Sequence, residues 1–157
     1  MNKYIPYGKQ SISEEDIKSI KEVLQSDFLT QGPRVPEFEN IICSKVDSKY
    51  AVAANSATSC LHLACLALGL RNGDYLWTTP ITFTASANCS LYCRANIDFV
   101  DIDQETGLID IEILETKLRL AAKENKLPKI VIPVHLAGSS CDMEKIYYLS
   151  QKYGFKI

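Results

Sequence analysis

The sequence predicts an α/β fold in which a mostly parallel sheet is covered by helices on both faces, and three observations predict it. From Tyr50 onward, short apolar runs alternate with longer stretches of helical periodicity, the pattern of crossover units joining parallel strands. The short runs, Ile130 to Val134 among them, are nearly continuous in apolar residues, as strands buried on both faces read. Turn chemistry separates the two periodicities. In Leu70-Arg71-Asn72-Gly73-Asp74, Gly73 can take the positive φ that such a turn needs.

Taken in order, the chain opens with a segment from Tyr4 to Gln10 that holds Pro6 and Gly8, both poor in regular structure. Ser13-Glu14-Glu15-Asp16 reads as a helix start, with Ser13 as N-cap and acids in the first turn. Ile17, Ile20, Val23 and Leu24 continue it as one apolar stripe, ending near Ser26. Asp27 to Pro33 is a loop rich in apolar groups for a connector, and Val35 to Val46 forms a second helix with Phe38, Ile41, Ile42 and Val46 on its buried side. Strands are then predicted at 50–54, 75–79, 97–101 and 129–134, with helices at 58–69, 82–93, 110–124 and 142–153. Phe155-Lys156-Ile157 begins a further strand, short against the usual five or six residues. The expectation is an amino-terminal piece of a longer protein, with a helical arm and loop over residues 1–48 and an incomplete α/β domain over 49–157.

Composition narrows the function. The 157 residues suit one domain or part of a larger one. With 46% hydrophobic and 23% charged residues, the chain can build a core and stay globular. A net charge of -2, from 17 basic and 19 acidic residues mixed throughout, offers no basic stripe for a nucleic-acid backbone. No apolar run approaches the roughly 18 residues of a membrane span, and Met1 to Pro6 lacks a secretory apolar stretch. Six cysteines without a CxxC pair read as small hydrophobes rather than metal ligands, in a reduced, cytoplasmic setting.

The chemistry centres on Asn55-Ser56-Ala57-Thr58-Ser59, where the chain turns from an apolar run into a helix. Small side chains expose backbone N–H groups at the positive helix end, which suits a phosphate. The competing reading is that Ser56 or Thr58 simply caps the helix. Thr79-Pro80-Ile81-Thr82-Phe83 and His135-Leu136-Ala137-Gly138 follow other strands, so three loops converge on the carboxyl edge where ligands of open sheets bind. His135 and His62 read as satisfied structural histidines, and Asp101 and Asp103 as carboxylates that face solvent and turn.

In this order, Tyr7-Gly8, Leu29-Thr30-Gln31-Gly32-Pro33, Phe38-Glu39, Asn55 to Ser59, Asn72-Gly73-Asp74, Thr79 to Phe83, Val100-Asp101-Ile102-Asp103 and Pro133 to Gly138 resemble the DegT/DnrJ/EryC1/StrS sugar aminotransferases. The resemblance spans essentially the whole chain. It implies the aspartate-aminotransferase-like fold (fold type I), pyridoxal 5'-phosphate as cofactor, and a homodimer when full length. The commoner family form has glycine where this chain has Ala57. Ser-Ala-Thr-Ser together with Thr-Thr-Pro-Ile-Thr-Phe is most similar to the branch that makes pseudaminic acid precursors. That branch moves an amino group from glutamate to C4 of a UDP-linked 4-keto-6-deoxy-N-acetylhexosamine, giving UDP-4-amino-4,6-dideoxy-N-acetyl-β-L-altrosamine.

By resemblance, Ala57 and Thr58 cradle the cofactor phosphate and Phe83 stacks on the pyridine ring, although alone Phe83 reads as a core phenylalanine at a strand-helix junction. Tyr7, Asp27, Phe28, Leu29, Thr30 and Ala57 line the nucleotide-sugar site in the family pattern. Without the resemblance, Tyr7 is a surface aromatic and the Asp27–Thr30 loop a packed connector. Transamination also needs a reactive lysine and a carboxylate for the pyridine nitrogen. In the family the carboxylate lies on the strand that Ile157 begins and the lysine further on, so no catalytic residue is assigned and residues 1–157 alone are expected to be inactive. Two alternatives stand beside this reading: a non-catalytic α/β phosphate- or nucleotide-binding module, and a structural or regulatory fragment that pairs with a lysine-bearing chain.

Overall fold

The computed structural model describes Tyr4, Pro6 and residues 8–157. It falls into two compact units, one ending at Ala53 and the other running from Ala54 to Ile157.

The first unit holds helices α1 (Glu14–Leu24) and α2 (Arg34–Val46). Ser13 and Asp16 close a capping box: the Asp16 N–H donates to Ser13 Oγ at 3.2 Å, and the Ser13 N–H donates to Asp16 Oδ2 at 2.8 Å. Two orphan donors are thereby satisfied reciprocally, and the Ser13 N–H and hydroxyl hold the Asp16 carboxyl below the usual range. Arg34 bonds Glu37 at 3.1 Å within α2 and reaches Glu22 of α1 at 3.8 Å. All three side chains are exposed, so these pairs add little stability. The predicted apolar stripes exist, but they are not buried. Ile20 is 60% and Phe38 55% exposed, because two helices and a loop supply no further layer to cover them.

The second unit runs α3 (Ala57–Ala67), β1 (Tyr75–Thr78), α4 (Ala85–Tyr92), β2 (Asn96–Phe99), α5 (Ile111–Lys123), β3 (Ile130–Ile132), a 3₁₀ turn at Leu136–Gly138, and α6 (Met143–Tyr153). The strands pair in the order β2-β1-β3, all parallel, with Leu76 opposite both Ile97 and Ile130. Alternation along the strands builds two cores. Leu76 and Ile130 pack with Cys65 of α3 and Cys89 and Cys93, from α4 and its end. Trp77 and Val131 point the other way, against Leu114 and Leu118 of α5 and Ile146 and Leu149 of α6. Helices therefore cover both faces, as the sequence predicts. Burying each such Leu or Ile contributes about 1.5–3 kcal/mol.

Beside β3, Lys156 forms a single parallel bridge with Ile130. The Lys156 N–H donates to Lys129 O and the Val131 N–H to Lys156 O, both at 2.9 Å.

The predicted strand at 50–54 is corrected: those residues form no ladder, and Val52 is 78% exposed. Apolar composition does not make a strand without a hydrogen-bonded neighbour, and none of the described strands pairs with it. Boundaries also shift, among them β2, which spans Asn96–Phe99 rather than 97–101. Helix α3 ends at Ala67 rather than residue 69, with Gly69 at φ +73 ending the run. Helix α4 begins only at Ala85, after the Pro80 to Thr84 loop. Strand β3 stops at Ile132, before Pro133, which has no N–H to donate.

Candidate functional site

Helix α3 leads into β1 through the Leu68 to Asp74 turn, and α4 leads back from it. The amino ends of both helices therefore lie at the carboxyl edge of β1, where open parallel sheets place their ligand crevices.

At the start of α3, Ser56 is extended (φ -161, ψ 156) and its Oγ accepts the Ser59 N–H at 3.2 Å. The Ser59 hydroxyl donates to Asn55 Oδ1 at 2.7 Å. Ser56, not Thr58, is thus the cap. The cap accounts for one amide only. The N–H groups of Ala57 and Thr58 have no partner among the described residues. Ala57 is exposed and Thr58 half-buried. Two free donors at the positive end of an eleven-residue helix suit a phosphate dianion. The capping and phosphate readings are compatible, because they use different amides.

Phe83 sits in the loop between β1 and α4 with 74% of its surface exposed. It is not a core phenylalanine, and its ring face is free to stack. Hydroxyls that the sequence reading did not single out hold its loop. Thr78 Oγ1 donates to Ile132 O at 3.0 Å, Thr79 Oγ1 donates to Ile81 O at 3.2 Å, and Thr82 Oγ1 bonds Ser86 Oγ at 2.9 Å. The only sequence signal for them is a run of hydroxyl residues at the end of a buried strand. Thr78 and Thr79 are fully buried, so these bonds remove polar groups that burial would otherwise penalise.

The structure thus brings Ala57, Thr58 and Phe83 to one edge of the second unit. Asp27, Phe28, Leu29 and Thr30 belong to the first unit, where Phe28 is 59% and Leu29 67% exposed. That loop is not a packed connector. Within the first unit, Val23, Ser26, Asp27, Phe28 and Arg34 line a pocket of about 420 Å³. Tyr7 lies outside the described residues.

The dismissed candidates have structural work. Asp103 Oδ1 accepts the Thr106 hydroxyl at 2.7 Å and the Thr106 N–H at 2.8 Å, which holds its carboxyl below the usual range. Asp101 accepts the Ile102 N–H at 2.8 Å. His62 packs against Tyr92, ring centroids 5.3 Å apart. His135 Nδ1 accepts the Cys141 N–H at 3.1 Å. Burial pushes the thiols of Cys93 and Cys141 up. Among the described residues no cluster of His, Cys, Asp or Glu is arranged for a metal ion, and no helix is long and apolar enough to cross a membrane.

The DegT/DnrJ/EryC1/StrS aminotransferase family matches over residues 10–157. The spore coat polysaccharide biosynthesis protein SpsC of Bacillus subtilis is 39% identical over 153 residues, covering 98% of this chain and 38% of the relative. Helicobacter pylori PseC, an aminotransferase involved in the biosynthesis of pseudoaminic acid, superposes with a TM-score of 0.87 at 33% identity, over 98% of this chain and 40% of that one. A sugar aminotransferase of Streptococcus pneumoniae in its pyridoxal-phosphate form superposes with a TM-score of 0.84 at 29% identity, over 98% and 38%. The chain spans about two fifths of the length of such relatives, and its fold is that of the amino-terminal part of these aminotransferases.

Proposed function

This chain belongs to the DegT/DnrJ/EryC1/StrS aminotransferase family, and from that premise we propose that its protein is a pyridoxal-phosphate-dependent sugar aminotransferase. The reaction moves an amino group from glutamate to C4 of a UDP-linked 4-keto-6-deoxy-N-acetylhexosamine, in the biosynthesis of a pseudaminic-acid-type sugar. The likeness to the Helicobacter pylori enzyme supports the sugar class. The single observation that carries the cofactor is the pair of unpartnered amides at Ala57 and Thr58, on the sheet edge that also bears the exposed Phe83. A phosphate needs such donors and an aromatic ring needs such a face, so the residues fit.

In this reading the Ala57 and Thr58 N–H groups and the Thr58 hydroxyl hold the phosphate, and the helix dipole favours its charge. Phe83 orients the pyridine ring, an offset stack contributing about 0.5–1.5 kcal/mol beyond area burial. When bound, the cofactor supplies an electron sink for carbanionic charge. Asp27, Phe28, Leu29 and Thr30, with Tyr7 and Ala57, contact the nucleotide sugar. The reactive lysine and the carboxylate that keeps the pyridine nitrogen protonated come from sequence outside residues 1–157. Residues 1–157 by themselves are accordingly inactive, and the full gene product is a homodimer.

The test is amino transfer by the full gene product, given pyridoxal phosphate, glutamate and the UDP-keto-sugar. Formation of the UDP-amino-sugar with loss of glutamate is expected. Phosphate or nucleotide binding without any uptake of pyridoxal phosphate would instead mark a non-catalytic binding module.

A further inference from the structure

Phe83 has no packing of its own to aim it. Its side chain belongs to neither core cluster, and no aromatic ring pairs with it among the described residues. With nothing against the ring, the backbone on either side of it decides which rotamers are open.

One residue grips that backbone on both sides. Ser86, buried in the first turn of α4, donates its N–H to Phe83 O at 3.0 Å. Its Oγ accepts the Thr82 hydroxyl at 2.9 Å. The residue before the ring is thus held through its side chain, and the ring residue itself through its carbonyl. Ser86 is held in turn from below. Cys89 Sγ donates to Ser86 O at 3.3 Å, and Cys89 is fully buried in the core it shares with Leu76 and Ile130. A path of contacts therefore runs from the core through Ser86 to the exposed ring.

The amide bond is what any helix start supplies, since tight i to i+3 turns are common there. The hydroxyl pair is not. Neither hydroxyl caps α4, whose N-cap Thr84 makes no side-chain bond. An alanine at 86 would keep the turn and release Thr82.

We infer that Ser86 is a positioning residue for the cofactor ring: through the Thr82 hydroxyl and the Phe83 carbonyl it fixes the loop that carries Phe83, so that the ring stands oriented before the cofactor arrives. Groups held in place beforehand bind better because less freedom is lost on binding. The inference rests on the aminotransferase reading, in which Phe83 stacks on the pyridine ring, and Ser86 acts through Phe83 alone.

Titration of the full gene product with pyridoxal phosphate, arranged as a double-mutant cycle, tests it. Ser86→Ala removes the hydroxyl and lets the half-buried Thr82 turn to water, so the variant should melt close to its parent. Its affinity for pyridoxal phosphate should fall about threefold, less than for Phe83→Ala, because a misaimed ring keeps part of its contact. Thr82→Val breaks the same bond from the other side. It should weaken binding by the same factor and melt lower, since it leaves a buried hydroxyl without its donor. In a Phe83→Ala background neither substitution should change the affinity further, a result that a merely structural role would not give. Parent-like affinity in both Ser86→Ala and Thr82→Val overturns the inference and leaves the aminotransferase reading in place. So does a loss that persists undiminished in the Phe83→Ala background, because the hydroxyls then act elsewhere than through the ring. A parent protein that takes up no pyridoxal phosphate ends both.

Discussion

Lys129 Nζ lies 2.9 Å from Asp74 Oδ2, and the same ammonium also bonds the carbonyl of Gly69. One lysine at the entrance to β3 thus ties down the turn that delivers the chain from α3 to β1. Asp74 further accepts the Arg71 N–H at 3.0 Å. The hydrogen bond from Lys129 is the chief cause that holds the Asp74 carboxyl below the usual aspartate range.

An acid-stability prediction follows from the direction of that shift. A carboxyl depressed in the folded protein stabilises it at pH above its unfolded value, and the contribution fades as pH falls through the folded value. Asp74→Asn should lower the melting temperature at neutral pH and flatten the loss of stability below about pH 4. Equal pH slopes for parent and variant would contradict the role. Both side chains keep some solvent contact, so the effect at pH 7 should be of order 1 kcal/mol or less.

Phe83 supplies a second prediction. With 74% of the residue exposed, Phe83→Ala should leave the melting temperature of the ligand-free protein nearly unchanged, within about 0.5 kcal/mol. Affinity for pyridoxal phosphate should fall up to about tenfold, as expected for a lost stack. A large drop in stability with unchanged affinity would return Phe83 to the core.

Gly107 tests the packing under the His135 loop. It adopts φ +72, and a Cβ there would stand 2.8 Å from Leu136 Cδ2. Gly107→Ala should destabilise by about 1 kcal/mol from backbone strain, with a further penalty from the clash. Adding Leu136→Ala should recover the clash part but not the strain. Chemical denaturation of the two variants checks it, and full recovery would show that φ is not the constraint.

How far the sequence could be read depends on how far each interaction reaches along the chain. The Ser13 cap and the positive φ of Gly73 were legible because each is decided within a few residues. The parallel direction of the strands was legible because the helix between each pair is part of the same alternation, whereas their order β2-β1-β3 was not. Val52 was misread because a strand also needs a neighbour to pair with, which no local pattern reveals. Ile20 and Phe38 have the periodicity of a buried stripe, yet periodicity says which residues share a face and not whether anything covers it.

The site divides the same way. Free amides at Ala57 and Thr58 could be expected from small residues at a helix start, whereas the exposure of Phe83 could not, because a phenylalanine after a strand serves core and crevice equally well. The hydrogen bond of the His135 ring was hidden for a different reason. Its donor is an amide six residues later, across a turn that only the folded chain closes.

The most direct test of the central claim is a titration of the full gene product with pyridoxal phosphate and with pyridoxal, repeated for Ala57→Pro. Proline is tolerated at the first helical position and its φ suits a helix start. The extended Ser56 before it also accepts a proline neighbour, so the substitution removes one N–H without unfolding α3. The account predicts that pyridoxal binds far more weakly than its phosphate ester, and that Ala57→Pro weakens the ester by roughly tenfold or more while leaving pyridoxal and the melting temperature unchanged. Equal binding of the two compounds, or an Ala57→Pro protein that holds the ester as tightly as its parent, would contradict it.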